Sequence, residues 1–252
     1  MKKLFVSIAL VSMLLLCVVV TSHAAEQSAR TERVKFAKGA TSAVIKGQVK
    51  GSGDVDYLVR AGAGQTITVS LKVSNRMNYF NVLPPGSKDV AMYAGQTGED
   101  FKGVFPTDGD CTIRVYLVRA AARRNESSKY TLTVSVTGKA LDPVPASKDA
   151  VIAGTPFHAS AKITCVPFIE VFGEKKHQEC EAFVVRRGFD GTATVEIPQA
   201  NSLRRRILFV KGKPVASDSQ DPMTFSRRDD LTTVIFGTDE RYEIPDALVF
   251  GG

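Results

Sequence analysis

The chain has 252 residues, 44% hydrophobic and 23% charged, with a formal net charge of +7. That length and apolar content exclude a disordered or low-complexity protein and leave room for more than one packed core. The basic balance favours acidic surfaces such as cell-wall polymers, anionic lipid or an acidic protein, and does not single out nucleic acid.

The first element in chain order is not part of a fold. "MKK" is a charged start, "LFVSIALVSMLLLCVVV" an apolar run and "TSHAA" an exit of small residues, which is the layout of a cleavable signal peptide over residues 1–24. Cleavage is expected after Ala24 or Ala25, leaving no membrane span. Loss of Lys2 and Lys3 leaves 31 bases against 26 acids, a mature charge of +5. The expected location is the periplasm or outside the cell.

Residues 34–137 read as successive short strands: "SAVIKGQVKG", "DYLVRA", "QTITVSLKV", "YFNVLPP", "DFKGVFP", "CTIRVYLV" and "YTLTVSV". They are β-branched and aromatic, and "GSGD", "GAGQ", "PPGS" and "PTDGD" punctuate them. Such spacing, with no long helical segment between, predicts an antiparallel β-sandwich or barrel. Only "RAAARRN", Arg119 to Asn125, has helical composition. Its alanines favour one or two turns, and Asn125 suits the end.

"GKALDPVPASKDA", residues 138–150, reads as a linker. Residues 151–252 are again strand-rich, in "HASAKITC", "EAFVVRR", "GTATVEIP", "RRILFVKGK", "LTTVIFG" and "RYEIPDALVF". The expected fold class is therefore all-β, an N-terminal antiparallel sandwich followed by a second small β-rich domain. The final strand is expected to pack into that second domain.

Beyond the leader lie three cysteines. Export makes Cys165–Cys180 the natural disulfide, closing a loop of about 15 residues worth roughly 3 kcal/mol. Cys111 alternates with Ile113 and Val115 and reads as a buried strand thiol.

No catalytic pattern stands out. His158 and His177 are the only histidines beyond the leader, and neither belongs to a nucleophile elbow, an H-E-x-x-H pair or a phosphate loop. Glu170, Glu174, Glu179 and Glu181 crowd the cysteine pair, but polar surroundings leave them solvated rather than tuned for glycoside hydrolysis. His158, Cys165, His177 and Cys180 lack zinc-site spacing. No metal, no cofactor and no enzymatic activity is expected. The absence of Trp argues against sugar stacking. "LRRRILF" and "VVRRGF" read as strand ends with a basic outer face rather than as nucleic-acid contacts.

Residues 34–137 resemble the family of periplasmic inhibitors of g-type lysozyme. The matching pieces are "VKFAKGATSAVIKGQVKGSGDVDYLVRAGAGQ", "YFNVLPPG" and "FPTDGDCTIRVYLVRAAARRNESSKYTLTVSV". The same region is similar to the broader pre-peptidase C-terminal-like β-sandwiches. The second half resembles a module of exported bacterial proteins ending in "DERYEIPDALVFGG", for which the resemblance implies no activity. The inhibitor family implies a sandwich that blocks the cleft of a muramidase, with arginines of the last inter-strand connection taking part. Those positions are Arg119 and Arg123 here. A family tyrosine after the early "KG" corresponds to Ser52. A non-inhibitory adaptor that binds the cell envelope or an acidic protein is the alternative.

Overall fold

The computed structural model describes residues 30–95, 100–168 and 177–251. The expected signal peptide, residues 1–24, lies outside them, as do Glu170 and Glu174.

The first half is built from β1 (Arg30–Arg33), β2 (Ser42–Lys50), β3 (Val55–Ala61), β4 (Thr66–Val73), β5 (Asn78–Leu83), β6 (Tyr93–Ala94), β7 (Phe101–Val104), β8 (Gly109–Leu117), a short helix α1 (Arg119–Arg123) and β9 (Ser127–Thr137). They form two sheets, ordered β1-β3-β8-β5-β6 and β2-β9-β4-β7. Period-two alternation decides which side chains point inward. Val59, Val82, Cys111 and Ile113 of one sheet meet Ile67, Val69, Leu132 and Val134 of the other in a single core. All pairings are antiparallel except β1, a strand outside the sequence expectation, which runs parallel to β3.

The second half contains β10 (Ala159–Val166), β11 (Gln178–Arg186), β12 (Ala193–Pro198), β13 (Arg204–Val210), β14 (Lys213–Ser217), β15 (Met223–Arg228), β16 (Leu231–Phe236), β17 (Glu240–Pro245) and helix α2 (Asp246–Phe250). They make one antiparallel sheet, ordered β14-β13-β12-β11-β10-β17-β16-β15. Inward residues from β10 to β17 gather with Leu248 and Val249 of α2 in one core. The sheet therefore curls around its own apolar face, and α2 closes it. Residues 246–250, expected to continue a strand, turn helical after Pro245, a residue that cannot donate to a ladder.

Cys165 and Cys180 are bonded, with Cα atoms 5.9 Å apart. Cys165 pairs with Gln178 and Cys180 with Ile163, so the bond joins diagonal neighbours on the core face of β10 and β11. Cys111 is free and buried, and burial pushes its thiol up to about 12.

The two halves pack against each other. Ile207 and Phe209 of β13 face the core of the second half, whereas Leu208 on the opposite face packs with Ala216 against Ala63, with Val104 and Leu141 alongside. The segment between the halves is pinned to both, because Leu141 N–H donates to Ala63 O (2.9 Å) and Val144 N–H to Arg186 O (2.8 Å).

The two arginine-rich strand ends are not basic outer faces. Arg186, Arg187, Arg205 and Arg206 are all buried. Arg205 makes a two-pronged bond to Glu240 (2.6 and 2.9 Å) and one to Asp218 (3.1 Å). Arg206 binds Asp218 and Glu196, and Arg186 binds Asp149. Buried guanidinium is tolerated only with such partners. The acids come from elsewhere in the chain, which is why the local sequence pointed the other way.

Candidate functional site

Strand β8 ends at Leu117, and Val118 adopts extended backbone, donating its N–H to Met77 O (2.9 Å). The chain then makes one helical turn. Ala121 is fully buried in the sandwich core, so the turn is anchored by its alanine face. Arg119, Ala120 and Arg123 are thereby left on the solvent side. Residues four apart share a helix face, and neither arginine has a hydrogen-bond or ion-pair partner among the described residues. Arg124 differs, since its Nε donates to Glu126 Oε1 at 2.6 Å. Asn75 and Arg124 together hold the Glu126 carboxyl below the usual carboxylate range.

Asn125 ends the turn in left-handed conformation, φ 55°, a geometry asparagine tolerates better than most residues. This brings the connection against the β2–β3 turn, where Gly51 N–H donates to Glu126 O at 2.8 Å. Gly51 is required there twice over. Its φ is +58°, and a Cβ would sit 2.8 Å from Asn125 Oδ1. Ser52, next in the chain, is exposed. The structure thus brings Ser52 and the Arg119–Arg123 turn to one pole of the sandwich.

The same pole holds two residues not singled out from sequence. Arg76 and Met77, in the β4–β5 connection, are both exposed, Met77 at 41%. "SNRMN" reads only as a polar turn. Its position became visible through the bond from Val118 to Met77.

The second half lies at the opposite pole. It touches Ala63, Val104, Pro106 and Asp108, which flank the Ala61 end of β3 and the Gly109 end of β8. Helix α1 follows the far end of β8. Strand β8 is nine residues long, so roughly 25–30 Å separates the poles at about 3.4 Å per residue.

The groups considered for catalysis do not assemble. His158 Nδ1 accepts the Arg186 N–H (3.0 Å), so its Nε2 donates to Val144 O (2.8 Å). Both ring nitrogens are committed to backbone, which makes His158 a clamp. The sulfurs of Cys165 and Cys180 are bonded to each other. No group of His, Cys, Asp and Glu among the described residues could hold a metal ion, and no described helix is long and apolar enough to cross a membrane. A cavity of about 130 Å³ lies between the halves, lined by Pro84, Pro85, Phe168, Gln199 and Arg205, and the acids described above already neutralise its arginines.

No protein-family model matches the chain. A curated relative, "Inhibitor of g-type lysozyme" of Escherichia coli strain K12, is 29% identical over 119 residues, 46% of this chain and 86% of the relative. Among solved structures, a periplasmic lysozyme inhibitor of g-type lysozyme from Aeromonas hydrophila is 37% identical, covering 43% of this chain and 96% of that one, with a TM-score of 0.41. The inhibitor from Salmonella Typhimurium is 27% identical, covering 44% and 100%, with a TM-score of 0.35.

Proposed function

Because the chain belongs, over a little under half its length, to the family of periplasmic inhibitors of g-type lysozyme, we propose that it is an exported inhibitor of that enzyme, acting in the periplasm with no catalysis of its own. The pole carrying Ser52, Arg76, Met77, Arg119 and Arg123 is the surface that engages the enzyme.

The observation that carries this reading is the state of Arg119 and Arg123. They are exposed and unpartnered among the described residues, on a turn whose backbone is fixed by Ala121 and Glu126. Like charges four apart weaken a helix slightly, and a cation in the first turn opposes the peptide dipoles. Local stability therefore does not explain Arg119, although Arg123 in the last turn suits the dipole, whereas a partner offering carboxylates accounts for both. A glycosidase cleft is lined by carboxylates. Guanidinium binds them in a two-pronged way and stays charged at any physiological pH. Met77 adds apolar area beside the cations.

The test is titration of the protein against g-type and c-type lysozymes with cell-wall lysis as readout. Stoichiometric loss of g-type activity alone is the expected result. Full activity of both enzymes at excess protein replaces the inhibitor with the adaptor.

A further inference from the structure

The two sheets of the sandwich carry their charges differently. The five-stranded sheet mixes signs and neutralises them: Arg33 pairs with Asp110 (2.7 Å) and Arg114 with Asp56 (2.8 Å). Strands β2, β4, β7 and β9 contain no Asp or Glu at all. They contain Lys46, Lys50, Lys72, Lys102 and Lys129, every one exposed.

All five lysines stand on the outer face. Ile45 and Val49 of β2, Leu71 and Val73 of β4, Phe101 of β7 and Tyr130 of β9 point into the core, so by period two the lysines beside them point out. The register gathers them. Lys46 is opposite Thr131, which is opposite Lys72, and Lys129 lies opposite Gln48 one step along. None of the five has an acidic partner among the described residues. The nearby acids Glu32 and Glu126 are already bound by Arg30 and Arg124. The rest of the face is Ser, Thr and Gln, apart from Val104, which packs towards the second half, and Val44, which protrudes at 64% exposure. Arg30, Lys46, Lys72 and Lys129 rim a shallow open depression.

We infer that this face docks the protein on an anionic phospholipid surface. Five like charges left unneutralised on one sheet, beside a sheet that neutralises its own, are complementary to a plane of phosphates. Lysine suits that partner, since ammonium is a compact point charge that attracts a diffuse field, whereas arginine is the residue for discrete two-pronged contacts. No exposed aromatic on these strands offers the stacking platform of a glycan site. The inference does not depend on lysozyme inhibition.

Protein purified from the periplasm, its mass checked for loss of residues 1–24, is sedimented with vesicles of phosphatidylcholine alone and of phosphatidylcholine mixed with phosphatidylglycerol. Binding is expected only to the mixed vesicles, weakening as salt rises. Each lysine near such a surface contributes about 1 kcal/mol, roughly fivefold, so the triple variant K46Q/K72Q/K129Q should bind roughly a hundredfold more weakly. The variant K46R/K72R/K129R, which keeps the charge, should bind normally, and unchanged thermal unfolding of both variants shows that the fold is intact. Equal binding to both vesicle types, undiminished binding of the glutamine variant, capture by isolated peptidoglycan instead of vesicles, or no binding at low salt each overturns the inference.

Discussion

The Arg187 guanidinium lies 2.8 Å from the Asp108 carboxylate, joining the second half of the chain to the β7–β8 connection of the first. Arg187 also donates to Thr194 Oγ1 (2.9 Å) and to Leu141 O (2.6 Å), and Thr194 Oγ1 donates to Pro106 O (2.7 Å). Asp108 in turn accepts the Ala63 N–H (3.0 Å). Burial lowers the Arg187 pKa, opposed by the charge of Asp108. One guanidinium thus holds the inter-half segment, the second sheet and the first sandwich together.

Removing either partner of this pair is expected to have unequal effects. Asp108→Ala leaves a buried cation without its countercharge, the situation that costs roughly 3–5 kcal/mol. Arg187→Met leaves no buried charge, because Asp108 is 37% exposed and free to take water, so its loss comes from the vacated bonds to Thr194 and Leu141 and should be smaller. Urea unfolding of the two variants checks the ordering. A loss for Asp108→Ala of no more than about 1 kcal/mol, the scale of a solvated ion pair, would mean that Asp108 is not acting as a countercharge.

Substitution at the exposed pole should separate binding from stability. Arg119→Ala and Arg123→Ala are each expected to move unfolding by no more than about 0.5 kcal/mol. Each should weaken inhibition of g-type lysozyme by roughly 1–3 kcal/mol, the scale of hydrogen bonds to a charged group. Arg124→Ala should weaken it less, because Arg124 is engaged by Glu126. Inhibition by the Arg119/Arg123 double variant equal to that of the parent would remove these residues from the interface.

The thiol chemistry is equally specific. Native protein lacking its leader should not react with a thiol reagent at mildly alkaline pH, because Cys111 is buried and its thiol pushed up. Unfolding without reductant should release one thiol, and reduction two more. Loss of the Cys165–Cys180 bond should cost about 3 kcal/mol. Mass spectrometry of alkylated samples reads all three states.

High pH should unfold the protein late and cooperatively. The hydroxyls of Tyr57 and Tyr130 meet at 2.8 Å in the core, and burial raises the Tyr130 pKa, as it does for Tyr242 beside Glu240. A folded pKa raised above the unfolded value of about 10 stabilises fully below that pH, and the contribution is lost as pH climbs towards the folded value. Tyrosinate absorbance from these two residues should therefore rise above about pH 10 together with loss of ellipticity. A separate earlier step assigned to either tyrosine would contradict its burial.

How legible the molecule was depends on what each strand faces. The strands of residues 34–137, apart from the two-residue β6, were readable because they are β-branched and aromatic and most end in a Gly or Pro turn. Strand β15 was missed because "MTFSRR" is an edge strand exposed along nearly its whole length and shows no apolar alternation. Strand β13 was found, but its arginines were placed outside, since Asp218, Glu240 and Glu196 come from three other parts of the chain and no local pattern marks them as partners. The Arg119–Arg123 turn was visible from composition alone. The packing of its alanine face, and the approach of Gly51 that sets Ser52 beside it, required long-range contacts that a linear pattern does not carry.

The tethers at Leu141 and Val144 have a mechanical consequence. A chain segment bonded to both halves restrains swivelling, so the second half serves as a handle on the far end of the sandwich. Whatever holds that handle fixes both the direction in which the arginine turn points and its stand-off of roughly 25–30 Å, by strand rise. Attachment through the second half would present the turn outward at constant orientation, as a bracket presents a hook.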